Sequence, residues 1–107
     1  MSEIQKLILN LFEKWQLSDE DAAEVLGLTD KEYDLLKAGE LARAELGLTL
    51  TELLRIHIAL KIIFKEPGRG CKWIHKPNAC FGGETALEIM KTDLERVRAY
   101  LEAEVHG

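Results

Sequence analysis

The side chains of this chain that could bind a metal, or act as nucleophile and base, are few. The sequence of 107 residues contains two cysteines and three histidines. Four of these residues are His57, Cys71, His75 and Cys80. Their C-x3-H-x4-C spacing lacks the paired C-x2-C units that are typical of zinc sites. We therefore predict no metal site, and we expect reduced thiols in a cytoplasmic protein.

Catalysis and cofactor binding are not supported by the other motifs either. A Cys/His catalytic pair needs a third, orienting group and a preformed pocket, which a small helical domain seldom provides. Two glycine-containing stretches, residues 68–70 and 81–83, follow no predicted strand, so neither matches a phosphate-binding loop. The sequence predicts a protein that is not an enzyme and carries no cofactor.

The length and composition indicate one soluble domain. The chain is 47% hydrophobic and has a formal net charge of −5. It contains no run of eighteen apolar residues that could span a bilayer. The first residues, MSEIQKL, lack the basic start and apolar centre of a signal peptide. We therefore predict a cytoplasmic protein that has no membrane partner.

Charge is distributed unevenly along the chain. Residues 1–54 hold five Lys/Arg against twelve Asp/Glu, residues 55–76 hold six against one, and residues 77–107 hold three against six. The basic stretch could contact phosphates or an acidic partner. It could equally pair with the acidic flanks of a neighbouring copy. Both alternatives are compatible with the sequence.

Helix start signals occur throughout the chain, whereas strand signals are nearly absent. Five pairs have the spacing of a capping box, in which a hydroxyl accepts from a first-turn amide and an acid reaches back. These pairs are Ser18 and Asp21, Thr29 and Glu32, Thr49 and Glu52, Thr85 and Glu88, and Thr92 and Glu95. The predicted fold is therefore an all-α, small helical domain.

Two further helices are predicted from apolar spacing. Residues 3–14 carry apolar side chains at i, i+3 and i+4, which makes one apolar face. Residues 50–65 are apolar on more than one face, so this long helix is expected to be the most buried element or a dimer interface. The breakers that follow it are Pro67, Gly68 and Gly70.

A helix-turn-helix is predicted between residues 17 and 39, similar to that of Xre-type repressors. Gly27 can adopt a positive φ in the turn, and Gly39 closes the second helix. The second helix carries three acids and two lysines, which disfavours tight DNA binding by the chain alone. The candidate DNA contacts are Thr29, Lys31, Lys37 and Arg43.

The stretch WIHKPNACFGGETALEIM, residues 73–90, concentrates large and rigid residues between two helical patterns. Trp73 and Phe81 supply apolar area. Pro77 pushes the preceding residue towards an extended conformation, and the paired glycines permit a tight reversal. The two rings could plug the end of the core. The stretch as a whole could also form a rigid surface for a partner.

The order W, PN, FGG, L, M, V, YL over residues 73–101 resembles the toxin-binding C-terminal domain of the Xre/MbcA/ParS antitoxin family. Members of this family neutralise RES-domain toxins, which resemble ADP-ribosyl-transferring enzymes that consume NAD or modify a target with it. The resemblance implies a helix-turn-helix region over residues 1–48 and a toxin-binding unit over residues 49–107. Many relatives carry a glycine between the last two helices, where this chain has residues 91–93.

The resemblance implies an antitoxin that blocks the active site of a RES-domain toxin and regulates its own operon. It also implies operator DNA that is bound mainly together with the toxin. The apolar excess of residues 50–64 separately predicts a homodimer formed through the N-terminal and central helices. The alternative is a helix-turn-helix transcriptional regulator without a toxin partner. The candidate toxin contacts, from the aromatic stretch and the last helix, are Trp73, Pro77, Asn78, Phe81, Gly82, Gly83, Arg96, Tyr100, Leu101, Glu102, Val105 and His106.

Overall fold

The computed structural model describes residues 3–41, 45–66 and 68–106, which contain seven α-helices. The helices are α1 (Glu3–Lys14), α2 (Asp19–Leu26), α3 (Asp30–Lys37), α4 (Glu45–Ile63), α5 (Arg69–His75), α6 (Ala86–Thr92) and α7 (Leu94–His106). A 3-10 turn, Ala79–Phe81, lies between α5 and α6. No strand occurs in the described ranges, and the predicted all-α fold is confirmed. None of the described helices combines the length and apolarity that crossing a bilayer requires.

Three of the five predicted caps begin helices. The side chains of Ser18, Thr29 and Thr85 each accept a hydrogen bond from the backbone N–H three residues further on. At Thr29 the exchange is reciprocal, since a carboxylate oxygen of Glu32 accepts from the Thr29 N–H at 3.0 Å. These caps satisfy backbone donors that have no partner within the helix, and they fix where α2, α3 and α6 begin.

The cap predicted at Thr49 is wrong, because Thr49 lies inside α4. This helix begins five residues earlier and ends two residues earlier than the predicted range 50–65. Leu46 is buried on the same side of the helix as Leu50, at 5% and 7% exposure. Tertiary packing of that side extends the helix past the local start signal.

The cap predicted at Thr92 is also wrong, because Thr92 is the last residue of α6. Asp93 takes its place, since one of its carboxylate oxygens accepts from the N–H of Arg96 at 3.2 Å. The backbone of Asp93, with φ of −151°, is extended rather than left-handed. No glycine is therefore needed between α6 and α7.

The pair formed by α2 and α3 is joined through Gly27, which has a φ of 70° as predicted. Gly39 ends α3 with a φ of 77°. Its N–H donates to the carbonyl of Leu36 at 3.0 Å, and the next N–H, of Glu40, donates to that of Leu35 at 2.9 Å. These two hydrogen bonds satisfy carbonyl groups at the end of α3 that have no partner within the helix.

The central helix is α4, which packs against α1 and α7. Its buried side chains are Leu46, Leu50, Leu53, Ile56, Ala59 and Leu60. The opposite face is open, because Leu48, Ile58 and Ile62 are 76%, 57% and 52% exposed. One face of α4 therefore belongs to the core, whereas the other face is apolar but exposed. The predicted dimer interface stays a prediction.

A partly buried ion cluster joins α6 to α2. The Nζ atom of Lys91 lies 2.8 Å from Asp21, 3.3 Å from Glu24 and 3.1 Å from Glu88, and the Lys91 side chain is only 12% exposed. The ammonium group lowers the pKa of the Asp21 carboxyl, and the hydrogen bond that Lys91 donates to Asp21 holds the pKa of Lys91 well above its usual value. Lys91 therefore stays charged and anchors the helix pair to the C-terminal half.

Replacing Lys91 with Met should lower the free energy of unfolding by about 1–2 kcal/mol at pH 7, because three carboxylates lose their shared cation. Urea denaturation followed by circular dichroism measures this difference. The matched control is Lys72→Met, since Lys72 is an exposed lysine on α5. Equal losses for the two variants would contradict the role of Lys91.

The difference between wild type and Lys91→Met should also depend on pH. The pKa of Asp21 is depressed in the folded protein, so its contribution is fully present above the pKa of the unfolded chain, ~3.9. It is lost as the pH falls through the lower, folded pKa. We expect the stability gap between the two proteins to be smaller at pH 3 than at pH 7. A gap that stays constant between these pH values would count against the Asp21 pairing.

Candidate functional site

Aromatic rings from three elements and from the end of α4 meet in one cluster. Trp73 of α5 stacks on Tyr100 of α7, with ring centroids 6.1 Å apart and an interplanar angle of 8°. Phe81 lies edge-on to these two rings, at 6.1 Å and 5.3 Å. Phe64, directly after α4, contacts Trp73 at 6.3 Å. We call Phe64, Trp73, Phe81 and Tyr100 the aromatic platform, and it joins the loop after α5 to the last helix.

The loop between α5 and α6 is closed by its own hydrogen bonds. The side chain of Asn78 accepts from the N–H of Cys80 at 2.9 Å. The backbone N–H of Asn78 donates to the carbonyl oxygen of Glu84 at 3.0 Å. The carbonyl oxygen of Asn78 accepts from the N–H of Gly83, also at 3.0 Å. Gly82 and Gly83 have φ values of 67° and 89°, which other residues adopt only at a cost. The predicted tight reversal is confirmed, and the loop is held in one shape.

The rim of the aromatic platform is polar. The guanidinium carbon of Arg96 lies 5.6 Å from the centre of the Phe81 ring, within the range of a cation–π contact. The Cys80 thiol donates to the Tyr100 hydroxyl at 3.5 Å. This contact and partial burial raise the pKa of Tyr100 to about 12. Tyr100 is thus a neutral phenol at physiological pH, and it combines an apolar ring with a hydrogen-bonding edge.

An ion network fixes α7 on α4. The guanidinium of Arg55 donates two hydrogen bonds to the Glu102 carboxylate, at 2.8 Å and 3.0 Å. Arg98 donates to the same carboxylate at 2.6 Å and also to Glu52. Arg55 and then Arg98 lower the pKa of Glu102. The sequence analysis did not predict that Arg98 and Glu52 take part in this network. The signal that could have indicated it is the i, i+4 spacing of Arg98 and Glu102.

The predicted toxin contacts differ in how much of each side chain is accessible. Phe81 and Leu101 are buried, at 4% and 1% exposure, so they support the surface from beneath. Glu102 is used within the α4–α7 network. The half-buried members are Trp73, Asn78, Tyr100 and Val105, and the exposed members are Pro77, Gly82, Gly83, Arg96 and His106.

The end of α7 borders a separate hollow of about 230 Å³. Val105 and His106 line it together with Arg55, Ile58 and Ile62 of α4. The open face of α4 and the last turn of α7 therefore form one mostly apolar surface. This surface and the aromatic platform both include residues of α7.

The candidate DNA contacts are largely engaged within the chain. The hydroxyl of Thr29 caps α3. The Nζ of Lys37 lies 2.8 Å from Asp19, and this hydrogen bond raises the pKa of Lys37. Lys31 is exposed, and Arg43 lies outside the described residues. Of these four residues, Lys31 offers a cation without an ion pair in the part of the chain that the structure describes.

Cys71 and His75 are brought together, but they bind the backbone rather than each other. The thiol of Cys71 donates to the carbonyl oxygen of Trp15 at 3.3 Å, and Nε2 of His75 lies 2.8 Å from the same oxygen. Burial raises the pKa of the Cys71 thiol. Cys80 instead contacts Tyr100, and within the described ranges no group of three or more His, Cys, Asp or Glu side chains could hold a metal. Cys71 and His75 thus hold α5 against Trp15, which directly follows α1.

Comparisons with known proteins found a matching family, a sequence relative and a solved structure of similar fold. The family model of the antitoxin Xre/MbcA/ParS C-terminal toxin-binding domain matches residues 59–107. A protein of Sinorhizobium fredii, named uncharacterized protein y4oB, is 35% identical over 101 residues, which cover 89% of this chain and 78% of that protein. The match therefore extends well beyond the toxin-binding domain.

A solved structure shares the fold. It is a chain of the crystal structure of the M. tuberculosis MbcT-MbcA toxin-antitoxin complex, with a TM-score of 0.71 and 16% identity, covering 100% of this chain and 97% of that one. The matched C-terminal domain is that of the antitoxins of toxin-antitoxin systems, and this class includes the present chain. Specifically, the chain belongs to the Xre/MbcA/ParS antitoxin family.

Replacing Tyr100 with Ala should lower the free energy of unfolding by about 1–3 kcal/mol, because the half-buried ring packs on both Trp73 and Phe81. Tyr100→Phe is the matched control, since it keeps the stacked ring and removes only the hydroxyl, and it should lose less than about 1 kcal/mol. Urea denaturation of the three proteins measures both values. Equal losses for the two variants would show that ring packing does not hold α7 to the loop.

Proposed function

We propose that this protein neutralises a RES-domain toxin by binding over its active site, where the toxin consumes NAD or transfers ADP-ribose. The observation that carries the proposal is the aromatic platform, which ties the closed loop to α7 within the matched toxin-binding domain. A surface made of half-buried aromatic rings and an arginine has the composition of protein-binding hot spots.

In the proposed complex, the last turn of α7 reaches the toxin. Leu101 is the last fully buried residue of the helix, and the residues after it are exposed or half-buried. Glu104 is exposed on this turn and could meet cationic residues that otherwise receive the phosphates of NAD. Glu102 acts differently from the initial expectation, since its carboxylate positions α7 through Arg55 and Arg98. The blocked cleft, rather than this chain, is the NAD site.

Two variants test the toxin proposal. The first stops the chain after Glu102, which keeps the buried residues and the ion network of α7, and the second is Arg96→Glu. Co-purification with a RES-domain toxin and NAD consumption in the same samples are measured. Each variant should weaken binding by about tenfold or more, because losing a hot-spot residue costs about 2 kcal/mol or more, and about 1.4 kcal/mol corresponds to tenfold. Inhibition of NAD consumption should fall in parallel.

The matched control for these variants is Lys6→Glu, a charge reversal on α1 at an exposed residue. It should bind and inhibit like the wild type. Circular dichroism establishes that all variants are folded. Wild-type binding and inhibition by both folded variants would overturn the assignment of the site to α7 and the aromatic platform. Failure of the wild-type chain to bind any RES-domain toxin would favour the regulator without a toxin partner.

We further propose that the chain forms a homodimer and contributes to repression of its own operon. The exposed apolar face of α4 supports the dimer, since Leu48, Ile58 and Ile62 remain uncovered. Two copies would present two α2–α3 pairs to successive half-sites on DNA. Because Lys37 pairs with Asp19, each copy alone has little free positive charge there. We therefore expect stronger DNA binding by the toxin complex than by the antitoxin alone.

Light scattering should give the mass of a dimer for the wild type at micromolar concentration and the mass of a monomer for Ile58→Glu. The control variant, Leu35→Glu, alters another exposed leucine and should remain dimeric. Binding to a DNA fragment from upstream of the coding sequence should be weaker for Ile58→Glu at every salt concentration. A monomeric wild type, or a dimeric Ile58→Glu variant, would overturn the proposed interface.

A further inference from the structure

A second concave site lies between the end of α1, the last turns of α4 and the start of α5. Its volume is about 370 Å³, within the range of small-molecule pockets. The apolar part of its lining is formed by Trp15, Leu60 and Phe64. Trp15 and Leu60 are each 3% exposed, so their positions are fixed by the core. The predicted toxin and DNA contacts do not line this cavity.

Close packing of α5 on α4 forms one wall of the cavity. A Cβ atom at Gly70 would lie 3.3 Å from the Cβ of Leu60, so a larger residue would make a tight contact that Leu60 would have to relieve by a few tenths of an ångström. The bonds from Cys71 and His75 to the Trp15 carbonyl fix α5 from the other side. The cavity is therefore a preformed feature of three packed elements.

The rim of the cavity is basic. Lys14, Lys61 and Lys65 line it and are exposed, and none of them has an ion-pair partner among the residues that the structure describes. The acid on the rim, Glu66, pairs with Arg69 at 3.2 Å. In a chain of net charge −5, three unpaired cations around one cavity create a local positive potential. Such a site favours an anion.

His57 supplies a polar group in the wall. Its ring lies 6.4 Å from the ring of Trp15, and it makes no hydrogen bond to any described residue. Burial, followed by the charges of Lys14 and Lys61, lowers the pKa of His57. The neutral imidazole therefore presents an aromatic face and a free hydrogen-bonding nitrogen to the cavity.

We propose that this cavity binds a small aromatic dianion, with its ring against Trp15 and His57 and its charged group among Lys14, Lys61 and Lys65. The three cations favour a dianion over a singly charged group, and the apolar lining favours a ring over an inorganic ion. An aryl phosphate has this chemistry. The cavity shares Phe64 with the aromatic platform, but ligand binding is measured on this chain without toxin or DNA, so the test does not depend on the proposed function.

Phenyl phosphate is the probe, titrated into the full-length, isotope-labelled protein and followed by nuclear magnetic resonance. Saturable shifts of the Trp15 and His57 ring signals are expected, with a dissociation constant below about 1 mM for a ligand of this size. Benzoate, with one charge, and inorganic phosphate, without a ring, should each bind at least about fivefold more weakly, which corresponds to about 1 kcal/mol.

The triple variant Lys14→Gln, Lys61→Gln and Lys65→Gln should weaken phenyl phosphate binding by about tenfold or more. The control variant Lys6→Gln, Lys72→Gln and Lys76→Gln has the same net charge and should bind within about twofold of the wild type. No saturable shift in the wild type, equal binding of inorganic phosphate, or equal weakening by both triple variants would overturn the proposal.

Discussion

The packing of α7 along α4 is the constraint on which the rest of the structure depends. Val97 and Leu101 are almost fully buried in this contact, and they supply its apolar free energy. The carboxylate of Glu102 then fixes the register of the two helices, because it lies between the guanidinium groups of Arg55 and Arg98. Bidentate pairing of this kind requires a defined geometry, so it selects one alignment of two otherwise apolar helices. The last turn of α7 is thereby held in a fixed direction.

The aromatic platform depends on this alignment, because Tyr100 and Leu101 are neighbours on α7. When Leu101 enters the core, Tyr100 is placed beside it, where its ring stacks on Trp73. Asn78 and the two left-handed glycines then keep Phe81 against both rings. The site and the core are thus built by the same helix. A substitution in the buried face of α7 is expected to disturb the binding surface as well as stability.

The sequence predicted the elements where the signal was local. Ser18, Thr29 and Thr85 cap helices as their spacing indicated, and Gly27 forms the turn, because each of these contacts spans only a few residues. Tertiary packing overrode the signal at Thr49, whereas at Thr92 the neighbouring residue Asp93 caps the helix instead. The sequence analysis named candidate residues for the site, but it did not predict which of them contact each other. Stacking of Trp73 on Tyr100 and pairing of Lys91 with Asp21 join distant parts of the chain, and no spacing in a single sequence reveals such contacts.

The placement of charge explains why an acidic chain retains basic surfaces. Acids in α2 and α6 surround Lys91, and acids on α4 and α7 surround Arg98, so these cations serve the fold. The basic residues between positions 55 and 76 fall into two groups in the structure. Arg55 and Arg69 pair within the chain, whereas Lys61 and Lys65 lie beside a cavity and have no ion-pair partner among the described residues. Cations of the first kind hold helices in register, and cations of the second kind are available to a ligand. Net charge therefore says little about binding here, because what matters is which cations the fold leaves without a partner.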